Sequence, residues 1–198
     1  MENEALIDST LTDEEQRMLL QLARQAMEAA VCGEPEPVVE LDGLPPRLQQ
    51  VGTSFVTLTR RGQLRGCIGA LEPVESLAID VCKHAVDAAL QDYRFPPVKQ
   101  YELEEIDIEI SRLTLPQTLE YECAEDLLAK LQPGRDGVVL KDGLYRATFL
   151  PQVWEKLPDC SEFLDHLCDK MGAPVNLWRF KKLEVQTYQV EEFREKKR

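Results

Sequence analysis

Leu64-Arg65-Gly66-Cys67-Ile68-Gly69-Ala70 follows a strand-like run, Ser54-Phe55-Val56-Thr57-Leu58-Thr59, across the short connection Arg60-Arg61-Gly62-Gln63. The two runs read as a β-hairpin, with the first stretch as its return strand. Alternation along a strand places Leu64 and Ile68 on one face and Arg65 and Cys67 on the other. A guanidinium beside a thiol favours the thiolate, the nucleophilic form of cysteine, so Cys67 is a candidate catalytic residue and Arg65 a candidate ligand contact. Gly66 and Gly69 carry no side chain, which lets a substrate or another backbone approach closely; both are read as ligand-binding positions.

Outward from this hairpin, helices and strands alternate without regular β-α-β units, the pattern of an α+β fold. Thr12-Asp13-Glu14-Glu15 forms a capping box ahead of a helix with Leu19, Leu22, Ala23, Ala26 and Ala30 on its buried face, and Gly33 is placed to end it. Residues 34–46 hold four of the twelve prolines and read as an extended connection. Pro73 is expected to open a second helix running to about Asp92, with a stripe of Ala78, Val81, Cys82, Ala85, Ala88 and Ala89. Ile106 to Leu113 alternates most cleanly of all: its isoleucines face the core, and Asp107, Glu109 and Ser111 face away. A helix at Ala124–Lys130, a hairpin around Lys141-Asp142-Gly143, short helices from Pro151 and Ser161, and a closing strand from Leu183 to Val190 follow. A charged tail, expected to fray, comes last.

At 198 residues the chain is long enough for one sizeable core or for two interlocked lobes. Hydrophobic residues make up 43% and charged residues 30%, a globular composition. A net charge of -13 opposes both phosphate-dominated nucleic-acid binding and docking on anionic membranes, so neither partner is expected. The acidic amino terminus has no apolar segment of the secretory type, which points to the cytoplasm and to free thiols at all six cysteines. No C-x-x-C pair occurs and only two histidines exist, so no metal site is expected. No cofactor is legible. Gly134-Arg135-Asp136-Gly137 lacks both the Walker and the dinucleotide spacing.

Four phrases carry a family resemblance. Leu64-Arg65-Gly66-Cys67-Ile68-Gly69 resembles the hallmark of the AMMECR-one domain family, whose prokaryotic members are called AmmeMemoRadiSam system protein A. Asp92-Tyr93-Arg94-Phe95-Pro96-Pro97 is similar to its D-x-R-F-x-P segment, Ile108-Glu109-Ile110-Ser111 to its I-E-I-S strand, and Leu150-Pro151-Gln152-Val153-Trp154 to its L-P-Q-V-W turn. In this order they span about residues 10–192, so the resemblance implies a single domain over residues 1–198. It also implies two unequal interlocked lobes, an antiparallel or mixed sheet with helices packed on it, and a cleft lined by these phrases. By the family's genome context it implies a Memo-like protein and a radical S-adenosylmethionine protein as partners.

The candidates then divide into alternatives. Cys67 is either a nucleophile or a small space-filler beneath a glycine-flanked strand. His84 is the nearest base in sequence, and either pairs with that thiol or sits at the margin of its helix as a structural residue. Glu109, beside Asp107 and Ser111, is a second catalytic candidate as acid, base or hydrogen-bond acceptor; the other reading is a solvated sheet face. The Asp92/Arg94 pair either clamps an anion or pins a loop. Gln152 is the remaining ligand-binding candidate. Arg60, Arg61 and Arg65 either form a local anion cleft or belong to a solvated turn. Two functions stay in play: an enzyme or small-molecule-binding protein centred on these residues, and a non-catalytic interaction or regulatory module.

Overall fold

A computed structural model describes residues 10–35 and 37–195; of the charged tail expected to fray after Val190, residues 196–198 lie outside the described residues. The chain divides into two unequal units, one reaching to Thr114 and resuming at Glu191, the other spanning Leu115–Val190. Both combine helices with antiparallel strand pairs, the α+β class that the sequence pattern implies.

In the first unit helix α1 (Asp13–Cys32) starts on the expected capping box, with the Thr12 hydroxyl and the Glu15 carboxylate each taking the other's main-chain amide. It ends at Gly33, whose φ of 72° is the left-handed conformation that glycine adopts without steric cost. One turn, α2 (Pro46–Gln49), leads into β1 (Val51–Arg60), which turns back into β2 (Gln63–Gly69). A short β3 (Glu75–Ser76) pairs with the start of β1 and precedes α3 (Leu77–Leu90). A 3-10 turn, Gln100–Glu105, then feeds β4 (Ile106–Leu113). The helix expected from Pro73 thus begins four residues later, because pairing with Val51 and Gly52 holds Glu75 and Ser76 extended.

The second unit is built on strands β5 (Gln117–Thr118), β6 (Gly137–Asp142), β7 (Tyr145–Phe149) and β8 (Glu184–Tyr188), in the spatial order β5-β8-β6-β7. Helices α4 (Ala124–Lys130), α5 (Cys160–Lys170) and α6 (Leu177–Phe180) and a 3-10 turn, Pro151–Glu155, complete it. Its core stacks the Trp154 ring on Phe163 at 3.6 Å between centroids, and the indole N–H of Trp154 donates to the Asp136 carbonyl at 2.7 Å. Trp178 is buried in the same core and donates to Asp165 at 2.6 Å, so both tryptophans serve as core anchors.

The last strand corrects the sequence reading. Instead of a closing strand followed by a frayed tail, the chain breaks after Tyr188 and forms β9 (Val190–Arg194), which returns to the first sheet beside β4 and gives it the order β2-β1-β4-β9. Phe193 enters the first hydrophobic core, and Glu191 accepts hydrogen bonds from the Leu11 amide, Gln16 and Arg112. That core lies between one sheet face, with Val56, Leu58, Ile108 and Ile110, and helices α1 and α3, with Leu19, Ala23, Ala78, Val81 and Ala85. Fully burying each leucine or isoleucine there contributes about 1.5–3 kcal/mol.

Candidate functional site

Strand β2 is the edge of the first sheet, so one row of its main-chain polar groups has no strand partner. At Cys67 the Asp92–Arg94 segment fills that role. The Cys67 amide donates to Asp92 Oδ2 at 2.9 Å, and Arg94 Nη2 donates to the Cys67 carbonyl at 3.1 Å. Asp92 also accepts from Arg94 Nε at 2.9 Å, from Nη2 at 2.6 Å and from the Arg94 amide at 3.1 Å. The Arg94 hydrogen bond is the main reason that the Asp92 carboxyl is held well below the usual carboxylate range, in spite of its burial. The same bond raises Arg94, with the nearby Cys67 among the smaller electrostatic causes. Of the two sequence readings, the Asp92/Arg94 pair therefore acts as a pin, clasping a loop to the main chain of Cys67.

The Cys67 side chain points away from the hydrophobic core. It stands opposite Thr57, whose neighbours Val56 and Leu58 face that core, and the Thr57 hydroxyl donates to its sulfur at 3.3 Å. Thr57 in turn stands opposite Glu109 on β4, so Cys67, Thr57 and Glu109 form one cross-strand row on the face turned away from the helices. All three are half-buried. Two strand spacings put roughly 10 Å between the Cys67 and Glu109 backbones, too far for a direct pair but within the span of one small ligand. Asp107 and Ser111 flank Glu109 on the same face, opposite Thr59 and Phe55.

Arg65 does not share this face. The β1–β2 register slips between Leu58 and Thr59, so that Leu58 pairs with Gly66 and Thr59 with Leu64, leaving Arg65 as the extra residue of a bulge. Its guanidinium grips Glu102, Nε to Oε1 and Nη2 to Oε2, both at 3.0 Å. Arg60, which shares the core-facing parity of Leu58, reaches the same carboxylate at 3.0 Å. The slip also brings Leu64 to the parity of Cys67. The expected pairing of Arg65 with Cys67 is overturned, because a single inserted residue inverts the alternation on one side of it. The guanidinium that does contact Cys67 is that of Arg94, at its carbonyl.

The two glycines are explained by packing. A Cβ on Gly66 would sit 2.1 Å from the Ala88 carbonyl oxygen, so its absence lets α3 lie directly on β2. A Cβ on Gly69 would meet the Phe55 ring at 2.4 Å and the Ser54 carbonyl at 2.5 Å. His84 is likewise withdrawn from Cys67: it is buried on α3, where Nδ1 lies 3.1 Å from Asp80 Oδ2, the oxygen that also accepts from Ser54 at 2.7 Å. A thiol–imidazole dyad is excluded, since α3 packs on the opposite face of the sheet from the sulfur. His166 is exposed on α5. Gln152 belongs to the second unit, exposed on the turn Pro151–Glu155.

Sequence reasoning missed Glu102. Nothing in its neighbours announces a buried carboxylate, yet four hydrogen bonds converge on it, two from Arg65, one from Arg60 and one from the Lys99 amide at 2.9 Å. Arg65 foremost draws its pKa down to about 2. Among the described residues no group of three or more His, Cys, Asp or Glu side chains is arranged to hold a metal ion, and no helix is long and apolar enough to cross a membrane.

The order of these phrases along both sheets has a counterpart in known proteins: residues 20–193 match the AMMECR1 family. The chain belongs to the AMMECR1 family. It is similar to a protein of Methanothermobacter thermautotrophicus, 39% identical over 93% of this chain and 96% of that one. A protein of Methanococcus aeolicus is 40% identical over 93% of each. Among solved structures, the uncharacterised protein PH0010 from Pyrococcus horikoshii is similar with a TM-score of 0.72, 36% identity and 94% coverage of both chains. These AMMECR1 relatives carry generic names and assign no reaction.

Proposed function

We propose that this AMMECR1 protein is an enzyme or small-molecule-binding protein whose site is the sheet face of Cys67, Thr57 and Glu109, at the edge clasped by Asp92 and Arg94. The observation that carries the reading is the position of Cys67: its main chain is held at both polar groups, while its sulfur stands half-buried away from the core. A nucleophile needs this combination of fixed backbone and accessible side chain. Arg94, its side chain 43% exposed, brings a cation within charge range and has no hydrogen-bond acceptor at Nη1 among the described residues. That group suits the carboxylate of an anionic ligand. Glu109 supplies an acceptor, or a proton-transfer group, at the far end of the row.

The test compares alkylation rates of the free thiols by mass spectrometry. Cys67 is expected to react ahead of Cys82 and Cys160, which are equally half-buried. Cys67→Ala is expected to keep the wild-type melting temperature while abolishing ligand-induced stabilisation in a metabolite screen. Slow alkylation of Cys67, together with an unaltered ligand response in the variant, would count against the reading.

A second reading, a non-catalytic module working with Memo-like and radical S-adenosylmethionine partners, draws on exposed apolar residues of the second unit. Leu144 and Tyr145 stand at the tip of the β6–β7 hairpin, which the 2.7 Å Asp142–Lys181 ion pair ties to the residue after exposed Phe180. Co-purification with those two partners that is lost in Leu144→Glu would favour this reading.

A further inference from the structure

A cavity of about 450 Å3 opens at the tip of the β1–β2 hairpin, lined by Arg60, Arg61, Gln63, Leu64 and Arg65. Such a volume lies within the range of small-molecule sites, about 300–1,000 Å3. Three guanidiniums converge here in a chain whose net charge is -13. Their carboxylate partners, Glu102 and Glu105, do not line the cavity among the described residues. Glu105 binds Arg60 Nε and Arg61 Nη2, both at 2.5 Å, while Glu102 binds Arg60 and Arg65. Three cations against two carboxylates leave one net positive charge.

The donors are not used up. Arg65 Nη1, Arg60 Nη2 and Arg61 Nε and Nη1 have no hydrogen-bond acceptor among the described residues. Glu102 fixes Arg65 by both ends of its fork, so one planar donor set is held in place before any ligand arrives. Arg61 occupies the hairpin tip with a φ of 53°, a left-handed conformation that non-glycine residues seldom adopt. That conformation sets a third, largely exposed guanidinium beside the other two. Leu64 adds an exposed apolar wall, and Gln63 an amide.

We propose that this cavity binds a small organic phosphate, its phosphoryl oxygens received by Arg60, Arg61 and Arg65 and its apolar part resting on Leu64. A phosphate monoester suits these remaining donors: it brings close to two negative charges and three acceptor oxygens for charge-assisted hydrogen bonds. Neither Cys67 nor Arg94 lines this cavity among the described residues.

The experiment is calorimetric titration of the full chain with inorganic phosphate, with adenosine monophosphate and with adenosine. Saturable binding of both phosphates, weakened by added salt, and none of adenosine is expected. Arg61→Gln, at an exposed position whose loss leaves Glu105 paired with Arg60, is expected to weaken phosphate binding about tenfold, the worth of one charge-assisted hydrogen bond. Arg65→Lys, titrated at a temperature where circular dichroism shows it folded, keeps a cation for Glu102 but removes the unused Nη1 donor, and is expected to cost at least as much. Arg94→Gln is expected to leave phosphate affinity unaltered. No saturable phosphate binding, equal binding of adenosine, or a loss confined to Arg94→Gln would each overturn the proposal.

Discussion

Two buried carboxylates flank strand β2, and each takes both ends of an arginine fork, yet they act differently. At Glu102, 5% exposed, the partner Arg65 is itself withdrawn to 12%, and Arg60 and a main-chain amide complete the set. At Asp92, 2% exposed, the partner Arg94 remains 43% exposed and spends its second contact on the Cys67 carbonyl. The Glu102 cluster ties side chains together and acts as a strut beneath the hairpin. The Asp92 cluster ties a loop to strand backbone at Cys67, whose half-buried side chain stays clear of the clasp and accepts from Thr57. The same pair chemistry thus stabilises one side of the strand and presents the other.

The strut should break hardest. Glu102→Ala leaves the half-buried Arg65 without its carboxylate and should cost about 3 kcal/mol in urea unfolding, the lower end of the loss when one partner of a buried ion pair is removed. The same carboxylate should govern acid stability. Its folded pKa of about 2 lies below the ordinary 4.5, so its contribution is complete above about pH 4.5 and is lost as pH falls through 2. Glu102→Gln should flatten that acid limb in a pH series of melting temperatures. Gly66→Ala comes next: the added methyl meets the Ala88 carbonyl and should destabilise by about 2 kcal/mol through forced separation of α3 and β2. Asp92→Asn, which keeps the shape and removes the charge, should cost about 1.5 kcal/mol and speed hydrogen exchange at the Cys67 amide. Cys67→Ala should change stability by less than about 1 kcal/mol, because the sulfur lies outside the core. Should Cys67→Ala prove as costly as Gly66→Ala, the contrast between strut and open face would fail.

Much of the architecture was legible where one element carries its own pattern. The capping box at Thr12, the alternation of Ile106 to Leu113 and the helix Ala124–Lys130 appear at the expected residues, since each depends on neighbours in sequence. The site was legible only in part. The outward parity of Glu109 was legible in its own strand, whereas the row that joins it to Cys67 through Thr57, and the contact of Arg94 with the Cys67 carbonyl, were not. Arg65 was misplaced by the bulge, and His84 was drawn into a buried pair with Asp80. Glu102 carried no local signal, because its importance comes from Arg65 and Arg60, more than thirty residues away.

Residue order alone determined the α+β class, the faces of the long helix and of β4, and membership of the AMMECR1 family. Tertiary structure decided the register of β2, the return of β9 to the first sheet and the partners of every arginine at the candidate sites. The physical reason is that periodicity records which side of a segment is buried. A bulge, an edge clasp or an ion pair depends instead on which distant backbone or charge arrives beside it.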